Sequence, residues 1–381
     1  MTGRFAFVST NSITQGEPVP ALFGPIFDVG WRIRFAHRTF AWSSEAPGAA
    51  AVHCAIVGFD RERRPAPRLF SYARPKGDPA EVAATAINGY LVDGPKVLVE
   101  RRRAVLGAGL GPAVFGNMAR DGGHLIVEPD QYAEVIADPI AAKYVRPFVQ
   151  ARELIHNTPR WCLWLVDLDP ADVARSKVLR DRLDAVRTFR LASKAPSTQG
   201  MAMTPHLFGQ RSQPDVPYVC IPRHFSEDRP FATVASFGPE VICGDANFKT
   251  EDPDGYLFAI LSSSMFIAWQ RAVGGRLKSD LRFSNTLVWN NLPLPEIGEK
   301  LRAQVIAGGR AVLEARALHP ERSLAQQYAP LAMDPALPKA HRLLNTAVDK
   351  AFGARRLCSS EQERQQILFE RYAELTGEAP Q

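Results

Sequence analysis

The stretch GGRLKSDLRFSNTLVWNN, Gly274–Asn291, governs how the rest of the chain is read. Two glycines open it. Arg276, Lys278 and Arg282 follow within seven residues with Asp280 among them, and Phe283 and Trp289 stand close by. Alternating polar and apolar residues, then the β-favouring run Thr286-Leu287-Val288-Trp289, predict an extended ribbon. A ribbon that carries cations, a carboxylate and aromatics suits a nucleic acid. Phosphates attract Arg and Lys, and base edges need matched donors and acceptors. On charge alone the same residues describe a solvated strand, so the decision comes from the rest of the chain.

The chain has 381 residues, room for two or three domains, with 46% hydrophobic and 23% charged residues as in ordinary globular proteins. Its net charge of +6 permits a polyanionic partner without requiring one. Five cysteines, Cys54, Cys162, Cys220, Cys243 and Cys358, lie far apart without metal-ligand spacing. They read as small core residues in a reducing compartment, with no metal site. No apolar run has the length of a membrane span, and no signal peptide precedes the first strand. A soluble, cytoplasmic protein is expected, without membrane partners.

Phe5–Thr10 is a short apolar strand, and Glu17–Val29 a helix with Pro18 in its first turn, Pro25 inside it and Gly30 at its end. Trp31–Phe35 and Val52–Phe59 continue as strands around a polar loop, Ser43–Gly48. This order predicts half of a doubly wound α/β sheet, as a fragment or as a sheet completed by another chain; a small self-contained sheet is the alternative. The Arg- and Pro-rich run 61–79 reads as a connector. Ala86–Tyr90 and Lys96–Val99 read as strands around a Val92–Pro95 turn. The glycine run Gly107–Gly111 imitates a phosphate loop, but no apolar strand leads in and Pro112 follows at once.

Further along, Asp138–Val149, Pro170–Ser193 and Gly255–Ala272 read as helices. Leu125–Val127, Trp161–Val166, Tyr218–Ile221 and Val241–Cys243 read as strands. Three amphipathic helices are expected at Lys300–Leu318, Pro335–Phe352 and Ser359–Thr376, the last capped by Ser360 with Glu363.

Several runs together resemble one family. They are FVSTNSITQGE (Phe7–Glu17), FAHRTFAW (Phe35–Trp42), VHCAIVGF (Val52–Phe59), KYVRPFVQARELI (Lys143–Ile155), RWCLWLVD (Arg160–Asp167), IPRHFSEDR (Ile221–Arg229) and the long run Leu257–Glu296. In order across nearly the whole chain, they resemble the MmeI-like DNA methyltransferases of the type IIG/IIL restriction–modification class. The resemblance implies adenine-N6 methylation with S-adenosylmethionine by a catalytic α/β domain, a target-recognition domain and a C-terminal helical domain.

The chain departs from that pattern. The family's glycine-bearing cofactor motif and its Asn-Pro-Pro-Tyr/Phe motif would precede Phe7–Glu17, and no Asn-Pro-Pro occurs in the 381 residues. The family's endonuclease domain is also missing. No bound S-adenosylmethionine is therefore expected for this chain alone, which is expected to be inactive unless a separate chain supplies the methyltransferase half. Phe40 occupies the place of an aromatic that stacks on a flipped adenine in related enzymes; as a residue it reads equally as a core aromatic at a strand end. His37 and His53 read as structural.

The fold expected is mixed α/β: residues 1–75 as the C-terminal half of a methyltransferase domain, 86–295 as target recognition and 296–381 as helices. The partner expected is double-stranded DNA. Arg271, Arg276 and Arg282 are assigned mainly to phosphates. Lys278 and Asp280, two apart on one strand, are assigned to the guanine and cytosine of one G·C pair. The resemblance agrees, since a polar pair at this place helps choose one base pair in that family. The alternatives are a stand-alone DNA-binding specificity subunit and a truncated, inactive product.

Overall fold

The computed structural model describes residues 3–42, 52–62, 64–74, 76–277 and 280–377. The loop Ser43–Gly48 expected between the second and third strands lies outside them, as does Lys278. The first sheet holds β1 (Phe5–Thr10), β2 (Arg32–Trp42), β3 (Val52–Asp60), β4 (Arg68–Tyr72) and β5 (Pro79–Val82), in the order β1-β3-β2-β4-β5. Only the β2–β4 pair is parallel. The helix Pro18–Asp28 packs Val19 and Phe23 onto it. Its end follows from Gly30 at φ +84°: the Gly30 amide donates to Phe27 O (2.9 Å) and the Trp31 amide to Ile26 O (3.2 Å).

Two expectations fail in this region. The connector 61–79 contains β4, which pairs with β2 through Ala36↔Leu69 and buries Leu69. Residues 86–99 form no extended strands, only an isolated antiparallel bridge Ile87↔Asp93 about a reversal in which Asn88 Oδ1 accepts from the Tyr90 and Val92 amides at 3.0 and 3.2 Å.

A second sheet joins β6 (Val114–Phe115), β10 (Tyr218–Pro222), β12 (Ala235–Phe237) and β14 (Asn247–Glu251), all antiparallel. A third has the order β13-β8-β9-β7, from β7 (Ile126–Val127), β8 (Val145–Val149), β9 (Trp161–Leu163) and β13 (Ile242–Cys243). Its own core includes Leu125, Val127, Phe148, Leu163, Leu179 and Val186. The helix expected over 138–149 is a short 3-10 turn, Ala141–Tyr144, followed by β8. Pro147 inside that run could have excluded the helix from sequence, because a proline lacks the amide a helix needs.

The helix expected over 170–193 divides at Ser176, whose hydroxyl caps the Leu179 amide (3.1 Å) and donates to Asp138 (2.5 Å). Gly255–Ala272 likewise divides into Tyr256–Leu261 and Ser264–Val273. The helices Glu299–Ala317, Ala336–Ala351 and Glu361–Thr376 complete the chain, and Ser360 caps the last by accepting from the Glu363 amide (3.2 Å). One continuous core runs from Phe23 and Phe59 through Trp269 and Trp289 to Leu344 and Phe369. All five cysteines are buried and free, and Cys220 and Cys243, distant in sequence, bring their sulfurs to 3.5 Å. No helix among the described residues is long and apolar enough to cross a membrane.

His341 lies inside this core, stacked on Phe231 at 3.6 Å and hydrogen-bonded to Tyr328 Oη at 2.7 Å. Burial, and then the nearby Arg316 charge, push its pKa down to about 3. The unfolded chain takes up a proton near pH 6.5 and the folded one does not, so His341 favours the folded state fully only above that pH. Stability should fall as pH drops from 6.5 toward 3, by at most about 1.4 kcal/mol per pH unit from this group. In urea unfolding between pH 7 and 4, His341→Gln should give a flatter pH dependence than wild type. Parallel curves would rule His341 out as the source.

Candidate nucleic-acid interface

The opening stretch is a hairpin and not a single ribbon. β15 (Gly275–Leu277) pairs antiparallel with β16 (Asp280–Arg282) in the register Gly275↔Arg282, Arg276↔Leu281 and Leu277↔Asp280. β11 (His224–Phe225) adds to the other side of β16, His224 opposite Arg282. The described residues on either side, Leu277 and Asp280, pair with each other, and the expected placement of Lys278 beside Asp280 lies outside the described residues. The alternation on β16 identifies a different pair. Leu281 is fully buried while Asp280 and Arg282 are exposed, so these two share the outer face.

The strand expected at Thr286–Trp289 is also absent. Asn285–Trp289 is a single π turn, with Asn290 N donating to Asn285 O at 2.8 Å and Ser284 capping Leu287 N at 3.2 Å. Burial overrides strand propensity here. Leu287, Val288 and Trp289 face the core, and the Trp289 indole donates to Gly111 O at 2.8 Å. Asn290 and Asn291 donate to Arg102 O and Glu100 O at 2.8 and 2.7 Å, fixing the base of the stretch.

The hairpin is braced from beneath. Phe225 and Leu281 are buried under it, and Phe283 packs edge-on against Phe248 at 5.1 Å. The buried Gln270 donates from its side chain to Arg282 O at 3.0 Å. Gly274 leaves room for that amide: a Cβ there would stand 2.1 Å from Gln270 Nε2.

The five expected site residues of this region divide into two groups and one remainder. Arg271 pairs with Glu361 at 2.6 Å and donates to Arg229 O at 3.1 Å, tying the helix Ser264–Val273 to the last helix. Arg276 pairs with Glu227 at 2.8 Å. Asp280 and Arg282 are exposed and make no side-chain hydrogen bond or ion pair among the described residues. Lys278 lies outside those residues.

Three side chains beside this face escaped the sequence reading. The β10–β14 pairing Pro222↔Asn247 sets Arg223 beside the loop of Asp245, 4.0 Å between charged groups, with its guanidinium 4.6 Å over Phe115. His224 lies between them and the hairpin. Burial first, then the charge of Arg282, lower its pKa, and Asp280 opposes in part. His224, opposite Arg282 and exposed, joins Asp280 and Arg282 on the outer face, with the half-buried Arg223–Asp245 pair alongside.

Phe40 lies away from this face, in an aromatic cluster of the first sheet. Its ring stacks on Tyr72 at 5.3 Å, and Tyr72 Oη meets His37 Nδ1 at 2.8 Å while His37 stacks on Phe70 at 4.4 Å. His53 is exposed on β3. In the glycine run 107–111 a Cβ on Gly107 would meet Leu294 N at 2.7 Å, whereas one on Gly109 would meet nothing within 4 Å.

Family comparison extends over the whole chain. The model of the MmeI DNA-methyltransferase domain matches residues 1–71, that of the MmeI target recognition domain 93–296, and that of the MmeI C-terminal domain 297–379. DNA methyltransferase A of Bacillus subtilis (strain 168) is 32% identical over 377 residues, 98% of this chain and 42% of that protein. The solved structure of the type IIL restriction–modification enzyme MmeI in complex with DNA superposes with a TM-score of 0.81 at 38% identity, covering 98% of this chain and 50% of that one. The chain thus spans half or less of the length of these relatives.

Proposed function

The chain belongs to the MmeI family of DNA methyltransferases, and from that membership we propose that it is the part of such an enzyme that selects the DNA target. The observation that carries this reading is the hairpin: apolar and braced beneath, with a carboxylate and a guanidinium side by side on its exposed face, neither paired among the described residues. An edge of a G·C pair in the major groove asks for that combination, donors to guanine O6 and N7 and an acceptor for cytosine N4. Arg282 serves the guanine and Asp280 the cytosine. Arg223, His224 and Asp245 extend the face toward neighbouring bases. Arg271 and Arg276, held by Glu361 and Glu227, set the hairpin in place, and Lys278 supplies a further cation for DNA.

The chemistry served is transfer of a methyl group from S-adenosylmethionine to adenine N6 in a restriction–modification setting. That amine is a weak nucleophile, its lone pair delocalised into the ring, and must be oriented by acceptors on an extruded base. Phe40 is the residue of this chain assigned to stack on that base. The orienting Asn-Pro-Pro motif is absent from these 381 residues, so a separate polypeptide segment would supply it together with the cofactor site. Residues 1–75 contribute to the catalytic sheet, 86–295 read the target, and 296–381 support them. Calorimetric titration of this chain alone with S-adenosylmethionine should give no saturable heat; micromolar binding would overturn the division of labour.

Bulk DNA binding should weaken with salt as phosphate contacts release counterions. Arg282→Ala tests the assignment of that residue. It should relax base preference at one position at a cost of about 1–3 kcal/mol. A loss equal for all duplexes, with a salt slope flatter by about one, would return Arg282 to a phosphate contact.

A further inference from the structure

We propose that Gly16 is a positioning residue that seats the recognition hairpin on the loop following β1, holding base reading in register with the strand end that carries Phe40. The proposal rests on the reading of the hairpin as the DNA-reading element. Gly16 has φ +64°, and a Cβ there would stand 3.2 Å from Gly275 Cα and 3.3 Å from Gly275 N. Here backbone lies on backbone. No flexible side chain intervenes that could absorb a change, and Gly275 is the first residue of β15.

The loop beneath is stiff. Asn11–Thr14 is a 3-10 turn in which buried Thr14 donates its hydroxyl to Asn11 O at 2.9 Å, and Val19 N donates to Gly16 O at 3.2 Å as the next helix begins. At its far end Asn11 Nδ2 donates to Thr39 Oγ1 at 3.2 Å, one residue before Phe40. At its near end Glu17 pairs with Arg101, and the Arg102 amide donates to Thr286 O at 2.9 Å, just beyond the hairpin. One short loop therefore touches both the Phe40 strand end and the root of the hairpin. Base contacts tolerate displacement of only about half an ångström. A methyl group wedged at Gly16 lifts a three-residue strand at its root, and the shift reaches Asp280 and Arg282 across the pairing.

The test is selection of bound duplexes from a random pool by wild type, Gly16→Ala and Gly30→Ala. Gly30 has φ +84° with nothing within 4 Å of an added Cβ, so its variant carries a similar backbone strain without touching the hairpin. Gly16→Ala should lose about tenfold in preference at the position read by the hairpin while affinity for unselected duplex is retained. Gly30→Ala should keep the wild-type profile. A Gly16→Ala profile identical to wild type overturns the proposal alone. Absence of any base preference in wild type overturns the reading of the hairpin, and this proposal with it. If Gly16→Ala does not fold, Thr39→Val removes the hydroxyl that holds Asn11 and leaves every glycine in place. Hydrogen exchange of the hairpin amides should then quicken several-fold relative to β3, and unchanged exchange overturns the proposal.

Discussion

Replacing Arg190 with methionine should lower the free energy of unfolding by roughly 3–5 kcal/mol. Arg190 lies on the helix Lys177–Leu191 and is completely buried without a carboxylate partner in ion-pair reach among the described residues. Its guanidinium instead donates to five carbonyls: Arg120 O from Nε, Met201 O and Thr204 O from one terminal nitrogen, Ala119 O and Leu207 O from the other, at 2.7–3.0 Å. Two segments, 119–120 and 201–207, are thereby fastened to one helix face. Methionine fills comparable volume, so the loss is polar: carbonyls that water cannot reach are left without donors, each costing about 1–3 kcal/mol where no other donor remains. Some recover through backbone amides, since Gly209 N already donates to Ala119 O and Thr204 N to Met201 O. This keeps the total below the sum of five. Arg190→Lys should recover little, because one ammonium cannot span a fork of five acceptors. Urea unfolding checks both variants, and a loss under about 1 kcal/mol would contradict the assignment of Arg190 as the fastening residue.

Exchanging Asp280 and Arg282, as the double variant Asp280→Arg with Arg282→Asp, should switch the preferred base pair at one position of the target. Residues two apart on a strand stand roughly 6–7 Å apart on one face, a distance that spans the edge of a base pair. Reversing acceptor and donor places a carboxylate against guanine O6 and N7, which cannot donate to it, and a guanidinium against the cytosine amine. Each mismatch costs about 1–3 kcal/mol, so the original pair is disfavoured by roughly 2–6 kcal/mol and its inverse, C·G, is favoured. Because the buried Leu281 between them is untouched, the hairpin keeps its seat. Competition between duplexes that differ only in the inverted pair measures the effect. Equal relative affinities in wild type and variant would remove both residues from base reading.

The elements that sequence displayed are those whose determinants are local. β1, the helix ending at Gly30 and the three C-terminal helices carry their periodicity, caps and stop signals within their own residues. The misreadings arise where distant residues decide. Thr286–Trp289 has the composition of a strand but is wound into a π turn, held by distant residues: the Arg102 amide donates to Thr286 O, the Trp269 indole to Val288 O, and the Trp289 indole to Gly111 O. β4 was hidden in an Arg- and Pro-rich run because only its pairing with β2 gives Leu69 a buried side. The pairing of Gly275–Leu277 with Asp280–Arg282 was missed because the intervening sequence has no glycine or asparagine, the usual signal of a reversal. Arg223 and Asp245 are legible as a pair only after β10 and β14 are registered. The charges of the candidate face, Asp280 and Arg282, stand in the sequence itself. Glu361 and Glu227 identify which cations are braced, Arg271 and Arg276.

The account's central claim is that this chain reads DNA sequence through the exposed face of the hairpin Gly275–Arg282. Selection of bound duplexes from a random pool by the wild-type chain tests it most directly. The account predicts enriched duplexes sharing a fixed G·C pair, a preference lost at that position alone when Asp280 and Arg282 are both changed to alanine. Duplexes bound without any common base pair, or a preference that survives the double change intact, would contradict it.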